Sequence, residues 1–172
     1  MKVGELSRDE IGAFYWNYIS LNDDSKSLDD LLTSNMEKVL NFFQQLPDEK
    51  WEYRYAKDKW TILEVLQHII DTKRIFQYRA LSIARKDQNS LLGYDHNSYV
   101  DFSEANSRNP NNLMEEFAAV RNSGLYLFRN FKEDMMKNMG IMNGNNATPR
   151  AIGFVICGHA LHHTNVLKER YL

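Results

Sequence analysis

The chain is organised around one short stretch near its carboxyl end, Cys157-Gly158-His159-Ala160-Leu161-His162-His163. These seven residues hold three of the five histidines in the protein. Histidines four positions apart, such as His159 and His163, lie one turn apart on the same face of an α-helix. That spacing lets both imidazoles reach a single metal ion at about 2.0–2.1 Å. The stretch therefore predicts a helix that carries part of a metal site.

A helical wheel separates the three histidines. With about 100° per residue and His159 at zero, the apolar stripe between about −40° and +80° contains Ile152, Val155, Ile156, Val166 and Leu167. His163 lies near +40°, inside the stripe, and His162 lies near −60°, at its edge. Cys157 lies near 160°, so we interpret it as a buried, inert thiol that points away from the pair. We therefore predict that His159 and His163 face the interior together.

Composition describes an ordinary globular chain. Its 172 residues, 43% apolar and 26% charged, predict a single domain over residues 1–172 with room for a real core. The formal charge of −2 argues against a nucleic-acid or membrane-surface partner. A lone cysteine excludes an intrachain disulfide and favours the reducing cytoplasm. We find neither an apolar run of about 20 residues nor a signal peptide.

Hydrophobic spacing predicts four long helices and a short one before them. The short helix begins at a capping box, Ser7 with Glu10, and runs through Ile19. The first long helix spans 28–43, where apolar residues repeat at helical spacing, and it ends before Pro47. Residues 48–60 mix aromatic and basic side chains. Without a basic excess, we interpret them as a connecting loop whose rings cover the core rather than as a nucleic-acid surface.

The other three long helices follow at clear start signals. Thr61 caps the second, with Glu64 completing a capping box, and that helix fades near residue 86. Residues 91–100 read as a long connection. The third helix starts at 109–110 and continues to about Met139, and residues 140–146 form a turn. Thr148 caps the last helix, with Pro149 at its first position. We find no convincing strand, so the pattern indicates an all-α four-helix bundle.

The second long helix supplies a partner for the histidine pair. On its wheel His68 shares the inner face with Val65, Thr72 and Ile75. Arg79 falls on the same face, about three turns further on. Bundles commonly build metal sites from side chains on facing helices. His68 is therefore placed to meet His159 and His163.

Three stretches together resemble the DinB-like (DinB/YfiT) superfamily of metal-binding four-helix bundles. They are residues 60–71 continuing to Ala80, the loop 92–97, and residues 158–163 continuing to Tyr171. The resemblance implies an up-down-down-up bundle that is often a homodimer. It also implies one ligand from the second helix and an H-x-x-x-H pair from the last, which are His68, His159 and His163 here. Some members are transferases or isomerases that use a low-molecular-weight thiol such as bacillithiol or mycothiol.

Three imidazoles suit a divalent ion such as zinc or nickel. Three protein ligands leave one coordination position for water or substrate, which is typical of a catalytic metal rather than a closed structural one. The competing interpretation is that the three histidines are hydrogen-bonded core residues without a metal. We favour the metal because all three face inward at the spacing of the family.

Five further residues are weaker candidates with open alternatives. Asp71 is either a carboxylate that orients a ligand imidazole or a solvated helix residue. His162 is an alternate ligand, a supporting group or a surface residue, and we favour the last two. Asp95 and His96 are acid or base candidates, although turn chemistry and surface exposure explain them more simply. Arg79 pairs either with an anionic substrate or with an acidic residue of the protein.

The resemblance, added to the three-histidine site, implies a metal-dependent thiol S-transferase that acts on a small molecule. A bound metal lowers the pKa of a thiol and makes the nucleophilic thiolate available near neutral pH. Two alternatives stay open: a metal-dependent hydrolase that activates water, and a non-catalytic bundle that binds a metal or ligand. The motif shows no obvious base, which counts against the hydrolase.

Overall fold

The computed structural model describes all 172 residues, and seven α-helices account for most of them. The four long helices are α2 (Leu28–Gln44), α3 (Ile62–Ala84), α5 (Pro110–Arg129) and α7 (Pro149–Arg170). The short ones are α1 (Trp16–Ile19), α4 (His96–Asp101) and α6 (Glu133–Met136). None of the seven has the combination of length and apolar character that crossing a membrane requires.

Two pairs of long helices run antiparallel. At one end of the bundle Arg129, the last residue of α5, donates to the carboxylate of Asp29 at the start of α2, with Nε 2.6 Å from Oδ1. At the other end the hydroxyl of Tyr171, just after α7, donates to the carbonyl of Trp60, just before α3, at 2.8 Å. Each contact joins the end of one helix to the beginning of its neighbour.

The helices α2 and α7 run in the same direction. Leu28, the first residue of α2, packs against Gly153 near the start of α7, so closely that a Cβ at residue 153 would fall 2.8 Å from the leucine side chain. Combined with the two antiparallel pairs, this makes α3 and α5 parallel as well. The four long helices therefore form the up-down-down-up bundle that the resemblance implied, and the fold-class prediction is confirmed.

The start signals of two helices are confirmed. The hydroxyl of Thr61 accepts from the backbone N–H of Glu64, and a Glu64 carboxylate oxygen accepts from the backbone N–H of Thr61 at 2.7 Å. The hydroxyl of Thr148 accepts from the backbone N–H of Ala151, and Pro149 occupies the first position of α7. These caps satisfy backbone donors that the first helical turn leaves free. They determine where α3 and α7 begin, and so the register of their histidines.

Several boundary predictions are wrong. The third long helix ends at Arg129 rather than near Met139, because the chain breaks at Asn130 and resumes as the separate helix α6. Phe128 before the break and Phe131 and Met136 after it are all buried, which is why the apolar spacing appeared continuous. Residues 91–100 include the start of α4, and only 16–19 of the predicted N-terminal helix is α-helical.

The prediction that the chain contains no strand is also wrong. Strand β1 (Gly140–Met142) pairs antiparallel with β2 (Asn145–Ala147). The two residues between them, Asn143 and Gly144, have φ angles of 51° and 74°. Positive φ at both central residues is what a tight hairpin turn requires, and asparagine followed by glycine tolerates it best. The predicted turn is therefore the tip of a small hairpin.

A layer of polar residues divides the core of the bundle. One apolar cluster fills the end where α2 and α7 begin, and a second fills the opposite end. Between them each long helix contributes a buried polar side chain: Asn35, Lys73, Arg121 and His159. Burying polar groups costs free energy unless they find partners, so we interpret this layer as a functional rather than a stabilising feature of the bundle. His68 and His163 lie beside the layer, in contact with His159.

Candidate metal centre

Three histidine side chains from two facing helices converge on one point. His68 is in the second turn of α3, and His159 and His163 are one turn apart on α7. The Nε2 atom of His159 lies 3.2 Å from Nε2 of His68 and 3.1 Å from Nε2 of His163. All three candidate ligand atoms lie within 4.8 Å of one another. The structure thus brings together the residues that helical spacing predicted would meet.

These separations fit a shared metal ion better than mutual hydrogen bonding. Each imidazole Nε2 offers either one N–H or one lone pair, so His159 Nε2 can satisfy only one of its two neighbours. Nitrogens bound at 2.0–2.1 Å in tetrahedral geometry lie about 3.3–3.4 Å apart. The observed 3.2 and 3.1 Å are close to that value. One ion between the rings would give every lone pair a partner.

The three imidazoles are held in the neutral form that binds a metal. Burial, together with the smaller effects of the charges of His96 and His162, lowers the pKa of His68 from 6.5 to about 3. Burial, with the neighbouring histidines, also lowers the pKa values of His159 and His163 well below 6.5. Neutral imidazole is the ligating species. The site therefore needs little or no deprotonation before binding at neutral pH.

Thr72 and Tyr94 determine the orientation of His68. The Thr72 hydroxyl lies 3.4 Å from Nδ1 of His68 and 2.5 Å from the Tyr94 hydroxyl. If Nε2 carries the lone pair, Nδ1 carries the proton and donates toward Thr72, whose own hydroxyl then donates to Tyr94. Burial raises the pKa of Tyr94, so its phenol stays protonated. Sequence reasoning placed Thr72 on the inner face but did not assign it this role, and it did not single out Tyr94.

Aromatic rings from outside the long helices enclose the three histidines. The Trp60 ring lies 4.8 Å from the ring of His68, and the edge of Tyr18 packs 5.2 Å from the ring of His159. Helix α1 reaches this position because Gly158 leaves no side chain against the Tyr18 carbonyl oxygen, which a Cβ would overlap. Neither ring was predicted to be a site residue. The only available signal was the glycine immediately before His159.

A cavity of about 580 Å³ opens beside the three imidazoles. Its walls include Tyr15, Phe76, Arg79 and His96 as well as the histidines and the rings around them. No aspartate or glutamate lines it. A ligand that reaches the shared point between the three Nε2 atoms would therefore meet aromatic faces, a guanidinium and an imidazole, but no carboxylate.

The structure does not place Asp71 or His162 against the point that the three Nε2 atoms share. The Asp71 carboxylate accepts a hydrogen bond from Gln67 at 2.9 Å and lies 3.7 Å from Arg74. Burial raises its pKa. The ring of His162 is half-buried and packs edge-on against Tyr18 at 5.3 Å. The residue beside Nδ1 of His68 is the neighbouring threonine rather than Asp71.

The three remaining candidates, Asp95, His96 and Arg79, have different surroundings. Asp95 is exposed and caps α4, accepting from the backbone N–H groups of Asn97 and Ser98 at 3.0 and 3.2 Å. His96 lines the cavity, with its ring 5.9 Å from that of His68. Arg79 also lines the cavity, is 3% exposed and has no carboxylate within 4 Å. The structural ion pair considered for Arg79 is therefore absent.

Two solved structures share this fold at low sequence identity. YfiT from Bacillus subtilis, described as a probable metal-dependent hydrolase with an unusual four-helix bundle topology, is 14% identical, with a TM-score of 0.70. The match covers 95% of this chain and 90% of YfiT. A mycothiol-dependent maleylpyruvate isomerase is 8% identical, with a TM-score of 0.64. That match covers 95% of this chain but 62% of the isomerase. Both likenesses concern the fold.

The sequence also matches a family model directly. No curated protein matches the chain by sequence. The model described as the DinB superfamily matches residues 31–167, which run from the first turn of α2 to the end of α7 and include all three converging histidines. Its match agrees with the bundle topology and with the similarity to YfiT. The chain therefore belongs to the DinB superfamily.

Proposed function

We propose that this protein binds a divalent transition metal through His68, His159 and His163 and transfers a low-molecular-weight thiol to an electrophilic small molecule. The observation that carries the proposal is the composition of the cavity wall. Three convergent imidazoles face the cavity, and no carboxylate does. Hydrolysis generally requires a positioned base, and His96 is the only imidazole in the cavity wall besides the three candidate ligands. A thiol depends less on a base once a metal has lowered its pKa. Zinc and nickel both suit three imidazole ligands.

The metal would make thiolate available near neutral pH. The chain itself contributes orientation and exclusion of water. Trp60 and Tyr18 cover the sides of the histidine cluster, and the hydroxyl pair of Thr72 and Tyr94 holds His68 in the ligating tautomer. In the transfer, a sulfur–carbon bond forms and the bond from that carbon to the leaving group breaks. The leaving group takes the electron pair, and the thiol proton passes to solvent.

The structural neighbours support the chemistry without assigning it. One is described as a mycothiol-dependent isomerase and the other as a probable metal-dependent hydrolase, so thiol dependence and metal dependence are both described for proteins of this fold. At 8% and 14% identity neither transfers its substrate to this chain. The argument for a thiol rests on the residues of the cavity.

His96 favours a second candidate, a metal-dependent hydrolase. Its ring lies across the cavity, 5.9 Å from His68 and 5.9 Å from Trp60. An imidazole at that distance can serve as the general base that a water nucleophile requires. A His96→Ala variant separates the candidates, because it would abolish hydrolysis but leave thiol transfer largely intact.

Transfer to 1-chloro-2,4-dinitrobenzene tests the proposal, with bacillithiol, mycothiol and glutathione as thiols and zinc- or nickel-loaded protein. We expect metal-dependent release of chloride with at least one thiol. The His163→Ala variant should lose this activity. The matched His162→Ala variant removes an imidazole from the next position of the same helix and should retain it. Turnover that is equal with and without metal, or equal in both variants, would contradict the proposal.

A further inference from the structure

The most unusual charge in the cavity belongs to Arg79. Arg79 is 3% exposed, yet its hydrogen-bond partners are neutral: Nη2 donates to the carbonyl oxygen of Leu92 at 2.6 Å, and the Tyr15 hydroxyl is the other partner. A guanidinium has five N–H donors. Burial lowers its pKa, and the nearby hydroxyls of Tyr15 and Tyr94 offset this only in part. The positive charge is therefore buried without a counter-ion from the protein.

Two other buried or half-buried arginines differ from Arg79 in their surroundings. Arg150 is bonded through Nε and Nη2 to both carboxylate oxygens of Glu10. Arg121 also lacks a carboxylate and its Nη1 has no hydrogen-bond partner, but it is closed into the core between the Leu32 carbonyl and the thiol of Cys157. Arg79 differs from both because it faces a cavity. A partner for its charge can enter from outside.

The guanidinium is also held in position before any ligand arrives. It lies 5.4 Å from the centre of the Phe76 ring and 5.9 Å from that of Tyr94. Tyr94 is in turn fixed by its hydroxyl contact with Thr72, the residue beside His68. Aromatic flanking of this kind orients the planar fork that pairs with carboxylates. Successive contacts through Tyr94 and Thr72 thus connect Arg79, at the cationic end of the cavity, with His68 at the metal-binding end.

We infer that Arg79 is the binding site for a carboxylate of the substrate, so that the cavity selects elongated anionic molecules. The inference rests on the proposed function and specifies its substrate class. The Cα atoms of His68 and Arg79 are eleven positions apart in α3, about 16 Å along the helix axis, and the Tyr94 ring and the Thr72 hydroxyl lie between the two side chains. A molecule that reaches both the three imidazoles and the guanidinium therefore has its reacting group and its carboxylate several bonds apart. The carboxylate belongs either to the thiol or to the electrophile.

Binding of a thiol series to cobalt-loaded protein tests the inference without relying on turnover. The probes are ω-mercaptoalkanoates of increasing length, each compared with the ω-mercaptoalkanol of the same length. The readout is the charge-transfer absorption that thiolate coordination gives to cobalt(II). At the length that spans the cavity, we expect the acid to bind about 10- to 100-fold more tightly than the alcohol, because a charge-assisted hydrogen-bonded pair forms.

Variants identify Arg79 as the cause. Arg79→Met, which keeps an unbranched side chain between the two rings, should remove the preference for the acid. Arg74→Met removes an exposed arginine from the same helix and should leave the preference unchanged. Equal affinity for acid and alcohol at every length in wild-type protein would overturn the inference, even if Arg79→Met failed to fold. Absence of the absorption band with every thiol would instead overturn the proposed function.

The source of the carboxylate is distinguished with a second pair of probes. Wild-type and Arg79→Met protein receive a neutral thiol with either 4-chloro-3,5-dinitrobenzoate or 1-chloro-2,4-dinitrobenzene. A KM advantage of the benzoate that disappears in Arg79→Met assigns the carboxylate to the electrophile. Without such an advantage, a preference for mercaptoalkanoates in the binding series assigns it to the thiol. Absence of both preferences overturns the inference.

Discussion

Two cavities of similar volume differ in whether the arginine in the wall is paired with a carboxylate of the protein. The cavity beside the histidines measures about 580 Å³, and the second, between the end of α2 and the start of α5, about 640 Å³. The arginine of the second cavity, Arg108, is bonded to Gln67 at 2.6 Å, Asn112 at 2.5 Å and Glu116 at 2.6 Å. The first has an unpaired guanidinium, Arg79, and three converging imidazoles.

The contrast shows why volume alone does not identify a site. Buried polar groups in proteins normally find partners, and the second cavity follows that rule. In the histidine cavity the protein's own side chains provide neither a separate partner for each of the three imidazole nitrogens nor a carboxylate for the guanidinium. We interpret this as a wall built to bind a ligand from solution. Perturbing the two cavities in parallel tests this explanation.

The largest expected difference concerns pH in metal-free protein. The pKa of His68 is about 3 when folded and 6.5 when exposed, so between these values the unfolded chain binds a proton that the folded chain does not. Folding stability should therefore fall as pH drops below about 6.5, by about 1.4 kcal/mol per pH unit for each such histidine. Urea unfolding with a chelator at pH 7 and 5.5 measures this. In a His68→Leu variant, the change of unfolding free energy per pH unit should be smaller by the contribution of one histidine. An unchanged pH dependence would contradict the claim that burial lowers the pKa of His68.

The second cavity should respond only at lower pH. Burial raises the pKa of Glu116, but hydrogen bonds from Arg74 and Arg108 outweigh this and lower it below 4.5. Its contribution to stability is present above that value and is lost as pH falls further. The two regions therefore titrate in separate windows. Arg108→Met, which removes the ion pair with Glu116, should therefore leave the change of unfolding free energy between pH 7 and 5.5 unaltered.

Metal should stabilise the fold through the histidine cavity. A ligand that binds only the folded state at 100 times its dissociation constant adds about 2.7 kcal/mol. Thermal unfolding with and without zinc should show this increase in wild-type and His162→Ala protein, whereas His159→Ala should lose it. Equal stabilisation of both variants would show that the metal binds elsewhere.

Loss of the hydroxyl beside His68 should have a smaller effect. Thr72→Val keeps the shape of the side chain but removes the acceptor for Nδ1, and such changes typically cost 10- to 100-fold in metal affinity. Competition with a chromophoric chelator measures the loss. Thr164→Val is the matched control, since that buried hydroxyl donates to the Ala160 carbonyl on α7 at 2.5 Å. If both variants bind metal equally, Thr72 has no orienting role.

The smallest effect is expected in the second cavity. Arg108→Met removes three hydrogen bonds from a partly exposed guanidinium and should lower the free energy of unfolding by about 1 kcal/mol. Metal affinity and the preference for acidic thiols should not change. A measurable change in either would show that the two cavities are coupled.

Much of this architecture could be predicted from sequence because it follows from periodicity. Capping signals at Thr61 and Thr148 located the starts of α3 and α7, and a helical wheel chose His159 and His163 over His162. The same reasoning placed His68 on an inner face. The structure brings these three together because both helices are regular and their register is determined by the caps.

The other features could not be predicted, because they lie on irregular segments or depend on contacts that only the folded chain determines. The aromatic rings around the histidines come from segments without helical periodicity. Tyr18 lies in the short helix α1, Trp60 precedes the cap residue of α3, and Tyr94 lies in a loop. The hydrophobic spacing across Asn130 concealed a helix end. Whether Arg79 pairs with an acidic residue could not be read from the chain, because it depends on which carboxylates the fold brings near.

Metal content of the purified protein tests the central claim most directly. The protein would be saturated with zinc, passed through gel filtration and analysed by plasma mass spectrometry, with His68→Ala, His159→Ala, His163→Ala and His162→Ala beside wild type. The account predicts one ion per chain in wild-type and His162→Ala protein, and a large loss in each of the other three. Unchanged metal content in those three variants would contradict it.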